Sequence, residues 1–292
     1  MKINKWIKQN TTNLTGKTIA ITGSTGALAS ELIFNLAKLN ANLILINRDI
    51  KKSELQKQQI LHLNPNAQIE LLTCDLSKFE SVKICCEMLK QKQIDVLYFA
   101  SAVYNVPLFQ TDLNFNNVFQ INFVSHYYLA KELLPCLKKN NGKIVAIGSV
   151  AYNYSSIDEN DIDFSTRKKS SQIYGNSKRF LTFSLQELCK QHNVNLSIVH
   201  PGVTLTNITN HYPKAINWLV KLGIKIAFPT PKKASLSLIK GIFQNTLDNY
   251  WIGPTIFNVW GMPKINKLKI KNNEEKIKIF NIAEKIYENT KK

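Results

Sequence analysis

From Lys17 to Val199, short and almost wholly apolar runs alternate with segments of helical period. The runs are Lys17–Thr22 (KTIAIT), Asn42–Ile46 (NLILI), Gln68–Thr73, Asp95–Ala100 (DVLYFA), Lys143–Ile147 (KIVAI) and Asn195–Val199. A strand with one wet face alternates apolar and polar residues. These do not, so both faces must be covered, as in a parallel sheet. The helical segments between them are Gly26–Leu39, Lys52–Leu63, Phe79–Lys90, about Asn114 to Lys138, and Tyr174–Lys190. In the first, Leu28, Leu32, Leu36 and Leu39 recur at spacings of three or four. Pro135 is expected to bend the end of the fourth. Parallel neighbours require crossovers, and those crossovers are right-handed, which predicts a doubly wound α/β sheet. No repeat, linker or low-complexity block interrupts the pattern, so residues 1–292 read as a single domain.

Composition narrows the class. Hydrophobic residues make up 44% of the chain, enough for a buried core. No apolar run approaches the roughly 20 residues that span a bilayer. The stretch Met1–Lys17 lacks the apolar core of a signal peptide, so the expected location is cytoplasmic. Five cysteines show neither CxxC pairing nor metal-ligand spacing, and no metal is expected. The net charge of +18 raises the question of nucleic acid. No aromatic-and-basic motif accompanies it, and nucleic acid is set aside. Two regions exceed the basic background. One lies between Glu187 and Asp248, without an acidic residue; the other is the tail 264–292.

Thr22-Gly23-Ser24-Thr25-Gly26-Ala27-Leu28 stands where the first strand turns into the first helix. Glycines there let the backbone turn helix N-terminal amides toward a pyrophosphate, the signature of a Rossmann-type nucleotide site. Gly23, Ser24, Thr25, Gly26 and Leu28 are therefore candidate cofactor contacts. The end of the second strand selects between cofactors. An Asp or Glu there would hold an NAD ribose hydroxyl, but this chain has Asn47 followed by Arg48. A guanidinium can bind a ribose 2′-phosphate bidentately, so the expected cofactor is NADP(H). Asp75-Leu76 follows the third strand. Its carboxylate either meets the adenine amino group or caps the helix near Phe79.

Tyr174-Gly175-Asn176-Ser177-Lys178 places Tyr174 and Lys178 on one helix face. A phenol of pKa about 10 is a poor acid–base at neutral pH, and an adjacent ammonium is expected to lower it. Ser149 follows the fifth strand at the carboxyl edge, where ligands bind in doubly wound sheets, and can donate to a carbonyl oxygen.

Together the glycine-rich turn, Gly148-Ser149, YxxxK and Pro201-Gly202 resemble the short-chain dehydrogenase/reductase family over roughly Thr15 to Thr206. The resemblance implies an NADP-dependent oxidoreductase of CH–OH and C=O groups. It implies that Tyr174 is the proton donor or acceptor, and that Lys178 tunes it and binds the nicotinamide ribose. Ser149 would orient the carbonyl, and Asn122 would support a proton-relay water. Ala100, Pro201, Gly202, Val203 and Thr206 would line the cofactor. His200 reads as structural. Asn47-Arg48-Asp49 and the long segment before Tyr174, with Asp161-Ile162-Asp163-Phe164, resemble the retinol-dehydrogenase-like branch. Two departures stand out. Ala29 replaces a glycine of the phosphate loop. Phe99-Ala100-Ser101-Ala102 replaces the Asn-Asn-Ala-Gly after the fourth strand, removing side-chain hydrogen bonds expected to steady that edge.

Residues 207–248 are expected to form a substrate lid, with Ile216–Phe228 (INWLVKLGIKIAF) as its apolar part, and 264–292 a basic C-terminal helix. An apolar lid implies a hydrophobic carbonyl or alcohol substrate. A second reading of the basic lid is peripheral membrane contact, since Trp and Lys on an apolar helix suit an anionic interface. Ile3, Trp6 and Ile7 could serve similarly or pack on the domain. Homo-oligomerisation is a further expectation. The alternative function is a non-catalytic NADP(H)-binding sensor, for which a tuned phenol would be needless.

Overall fold

The computed structural model describes residues 3–154, 156–202, 229–246, 248–270 and 273–291. Helix α1 (Ile3–Asn10) precedes β1 (Thr18–Thr22), α2 (Ala27–Lys38), β2 (Asn42–Asn47), α3 (Ile50–Leu63) and β3 (Ile69–Thr73). Next come α4 (Phe79–Lys90), β4 (Val96–Phe99), the short α5 (Asn117–Phe119), a π turn at Gln120–Val124 and α6 (Ser125–Lys139). Strand β5 (Lys143–Ile147), a 3₁₀ turn at Val150–Tyr154, α7 (Ser170–His192) and β6 (Asn195–Val199) complete the anticipated alternation. The chain then adds α8 (Pro231–Phe243), β7 (Tyr250–Ile256), β8 (Trp260–Lys267) and α9 (Asn273–Asn289).

The sheet order is β3-β2-β1-β4-β5-β6-β7-β8, parallel except for β8, which pairs antiparallel to β7. The order reverses between β1 and β4, and a crevice for a ligand opens beyond the carboxyl ends of strands at such a switch point. One face buries Leu32 and Leu36 of α2 with Leu236 and Ile239 of α8; the other buries Val82, Leu133, Leu185 and Ile279. Both faces are thus dry, as the unbroken apolar strands require. The fold is the expected Rossmann-type doubly wound sheet.

Several expectations are relocated. Residues 207–228, including the apolar lid segment, lie outside the described residues. Pro231–Phe243 of that stretch packs on the core: as α8 it starts on a Thr230 cap and lies against α2, β5 and β6. Lys264–Lys267 lies in edge strand β8, where lysines discourage further pairing. In the tail, α9 docks on α7 through Glu275 against Arg179 and on α6 through Glu284 against Lys131 at 2.7 Å. Trp6 is buried with Leu32 and Leu236 rather than presented to an interface. Pro135 sits within α6, which continues to Lys139, and a π turn at Gln120–Val124 precedes that helix. Among the described residues no helix is long and apolar enough to cross a membrane.

Candidate active site

The crevice begins at Gly23. Its φ is +69°, and a Cβ there would come within 2.7 Å of Ser101 Cα, so the turn needs glycine on both counts. Gly23 N donates to Ile46 O at 2.8 Å and Gly26 N to Gly23 O at 3.1 Å. Helix α2 opens immediately after, with Gly26 as its cap and, among the described residues, no side chain capping its first amides. Those amides are therefore available to an anion. Thr25 and Leu28 are half-buried beside them, whereas Ser24 and Asn47 are buried and hydrogen-bonded to each other at 2.6 Å. Arg48 is exposed at the rim. Asp75 Oδ1 accepts from Ser77 N at 3.0 Å and Ser77 Oγ at 2.7 Å. The helix near Phe79 is capped from elsewhere, by Asp112 Oδ2 accepting from Phe79 N at 2.6 Å. Leu76 is buried, and its carbonyl accepts from Ser125 Oγ.

The altered segment after β4 is steadied after all. Ala100 N and Ser101 N donate to Thr22 Oγ1 at 3.2 and 3.3 Å. Thr22 Oγ1 in turn lies 3.0 Å from His126 Nε2, and His126 Nδ1 lies 3.3 Å from Asn122 O. A carbonyl only accepts, so Nδ1 carries the proton and Nε2 accepts from the threonine hydroxyl. Burial, assisted by the Lys178 charge, pushes His126 down to about 3 and keeps it neutral. A threonine and a histidine thus replace the side-chain bonds that the missing asparagines would have made.

Asn122 sits in the π turn, completely buried. Its Oδ1 accepts from Val103 N at 2.8 Å, and Nδ2 donates to Val103 O at 3.0 Å and Ser177 Oγ at 3.1 Å. The side chain joins the loop after β4 to α7, which carries Tyr174 and Lys178. Ser149 reaches the same place from the end of β5. Helix α7 approaches that turn so closely that a Cβ on Gly175 would lie 2.3 Å from Ala151 O. The glycine of YGNSK is therefore what lets tyrosine and serine meet.

Tyr174 is half-buried, edge-on to Tyr104 with ring centroids 5.1 Å apart. Burial pushes its phenol up to about 12, opposed by a hydrogen bond with Ser149. Lys178 is 1% exposed; its Nζ donates to Ile147 O at 2.8 Å and lies 5.8 Å from the Tyr174 ring centroid. Burial pushes this lysine down to about 7. The lowering of the phenol expected from the ammonium is not produced by this arrangement, because the ammonium sits by the ring and is itself half-neutralised near pH 7.

Pro201 and Gly202 are buried where β6 ends; Val203 and Thr206 lie outside the described residues. His200 stacks on Trp251, centroids 4.8 Å apart and planes at 6°, with Nε2 3.1 Å from Asn258 O. Sequence reasoning missed Thr22, Val103, Tyr104 and His126. Of these Thr22, at the head of the glycine-rich turn, and His126, one helical turn beyond Asn122, left a local trace.

The residues fit a nicotinamide dinucleotide. A turn closed by Gly23 and open helix amides suit a pyrophosphate, and the buried Lys178 ammonium has no carboxylate within ion-pair distance among the described residues. Comparison with known proteins agrees. Residues 17–217 match the family model described as short chain dehydrogenase. The chain is 30% identical to mouse (Mus musculus) retinol dehydrogenase 12 over 217 residues, covering 71% of this chain and 69% of that one. It is 28% identical to mouse retinol dehydrogenase 14 over 212 residues, covering 67% of this chain and 64% of that relative's length. Among solved structures, a short-chain dehydrogenase from Sphingobium yanoikuyae in complex with NADPH superposes with a TM-score of 0.58 at 21% identity, over 76% of this chain and 83% of that one. Turn, sheet edge and YxxxK helix coincide with that matched stretch, and the chain belongs to the short-chain dehydrogenase family, in its retinol-dehydrogenase-like branch.

Proposed function

We propose that this protein is an NADP(H)-dependent oxidoreductase acting on a hydrophobic carbonyl or alcohol. The observation that carries the reading is a buried Lys178, without a carboxylate in ion-pair distance among the described residues, beside a Tyr174–Ser149 pair at the carboxyl edge of the sheet. When bound, the cofactor supplies or accepts the hydride. The chain's own residues handle the proton. Ser149 Oγ–H is placed to hold the carbonyl oxygen, and the Tyr174 hydroxyl donates the proton that the reduced oxygen needs. A phenol held up at about 12 is protonated at neutral pH and so is ready to donate. Lys178 would meet the nicotinamide ribose, and its recharging as the cofactor binds would draw the phenol down. Asn122 holds Val103 and Ser177 around the site. Arg48, exposed at the rim beyond β2, would meet a ribose 2′-phosphate, and the NADPH complex of the Sphingobium relative supports that choice. An apolar substrate follows from the apolar segment Ile216–Phe228 and from relatives named for retinol.

The test is a fluorescence titration with NADPH and NADH, followed by a panel of apolar aldehydes and ketones read at the nicotinamide absorbance. Preferential NADPH binding with turnover of at least one carbonyl is expected. Tight binding with no turnover across the panel would favour the sensor instead.

A further inference from the structure

Asn47 ends β2, the position from which a Rossmann-type fold reaches the adenosine ribose, but its amide is engaged inside the protein. Nδ2 donates to Ser24 Oγ at 2.6 Å and Ser53 Oγ at 2.9 Å, while Oδ1 accepts from Thr25 N at 3.3 Å. Gln56, on α3, grips the same loop from the other side. Its Oε1 accepts from Ser24 Oγ at 2.7 Å, and its Nε2 donates to Ser24 O at 2.8 Å and Ser30 Oγ at 3.0 Å. Ser53 completes the set by donating to Asp49 O at 3.0 Å. An amide side chain has two donor hydrogens, and in both residues both are used. Ser24, Asn47, Ser53 and Gln56 are all buried, with at most 5% of their surface exposed.

Ser24 is therefore fixed at its hydroxyl and at its carbonyl by residues from two different elements. A fully satisfied buried polar network is rigid, and rigidity set before binding removes an ordering cost that the ligand would otherwise bear. We infer that Asn47 and Gln56 form a latch that holds the Gly23–Gly26 turn in its phosphate-receiving shape, and that neither discriminates the ribose substituent. They are positioning residues, and the inference rests on reading this turn as the pyrophosphate cradle. It also explains why an amide stands at position 47. A carboxylate cannot donate to Ser24 and Ser53, so both hydroxyls would have to turn away from Gln56 and Asp49.

The experiment measures the Kd of NADPH and of NADH for the full chain and its Asn47→Ala, Gln56→Leu and double variants, alongside melting temperature. Each single variant should weaken both cofactors by the same factor, about tenfold, as expected for losing buried hydrogen bonds to a positioned loop. The NADPH-to-NADH ratio should stay at its wild-type value. The double variant should lose less than the product of the two, because both act through Ser24. A ratio altered about threefold or more by Asn47→Ala would mean direct ribose contact and would overturn the latch. So would unchanged affinities in Gln56→Leu, which keeps the test decisive should Asn47→Ala fail to fold. Arg48→Ala separates the two readings. An unchanged ratio there would remove Arg48 as the 2′-phosphate contact while leaving the latch standing.

Discussion

The two ends of β5 each hold a buried lysine, and they differ in what completes them. At the amino end, Lys143 donates to three carbonyls at the end of α8: Gly241 O at 2.8 Å, Ile242 O at 3.3 Å and Gln244 O at 3.1 Å. At the carboxyl end, Lys178 donates to Ile147 O. Burial pushes both down to about 7. Lys143 is 8% exposed and Lys178 1%, so burial alone does not distinguish them. The distinction lies in the acceptors. Three carbonyls at a helix C-terminus use every hydrogen of an ammonium and suit its charge. One carbonyl, the acceptor found among the described residues, leaves hydrogens that a ligand can use. A buried cation is thus structural at one end of a strand and poised for a ligand at the other.

Substitutions should separate the two ends. Lys178→Met should lower kcat/KM by about a thousandfold, within the range expected for losing acid–base assistance. The pH profile sharpens this. Lys178 carries its charge below about 7 and loses it above, so kcat/KM for NADPH, which reports the enzyme before cofactor binds, should fall as pH rises through about 7. That limb should vanish in Lys178→Met; a limb that survives would assign it to another group. Gly175→Ala must push α7 and the Ser149 turn apart, since its Cβ would meet Ala151 O at 2.3 Å. Its kcat should drop by about tenfold, with NADPH affinity within about threefold, as expected for misplaced reacting groups. His126→Leu leaves the Thr22 hydroxyl without its acceptor; a loss of about fivefold in kcat and about 1–2 kcal/mol of stability is expected. Lys143→Met should leave turnover unchanged and lower stability by about 2 kcal/mol, read as a melting-temperature drop, because three carbonyls lose their donor. Any fall in its kcat would break the comparison.

What the sequence made legible followed from range. Strands β1 to β6 were readable because a sheet covered on both faces demands local apolar runs. Tyr174 and Lys178 were readable because helical spacing is local. Strands β7 and β8 were not, since Gly253, Pro254 and Pro263 read as loop and the lysines of β8 dilute its pattern. The Ser24–Gln56 bond spans 32 positions and the Thr22–His126 contact 104, distances at which no periodicity speaks. Asp75 was open between two roles; the helix cap went to Asp112, which only the folded chain brings to Phe79. At Tyr174 and Lys178 the electrostatics differ from the expectation, because burial, invisible in YxxxK, outweighs their proximity.

The most direct test of the central claim is Tyr174→Phe, assayed for NADPH oxidation with whichever carbonyl the wild type reduces, and for NADPH Kd by fluorescence. The ring and its contact with Tyr104 are kept, and only the hydroxyl goes. Turnover should fall to background while Kd stays within about threefold, because the proton donor is lost and the cofactor cradle is not. Turnover at the wild-type rate would contradict the account.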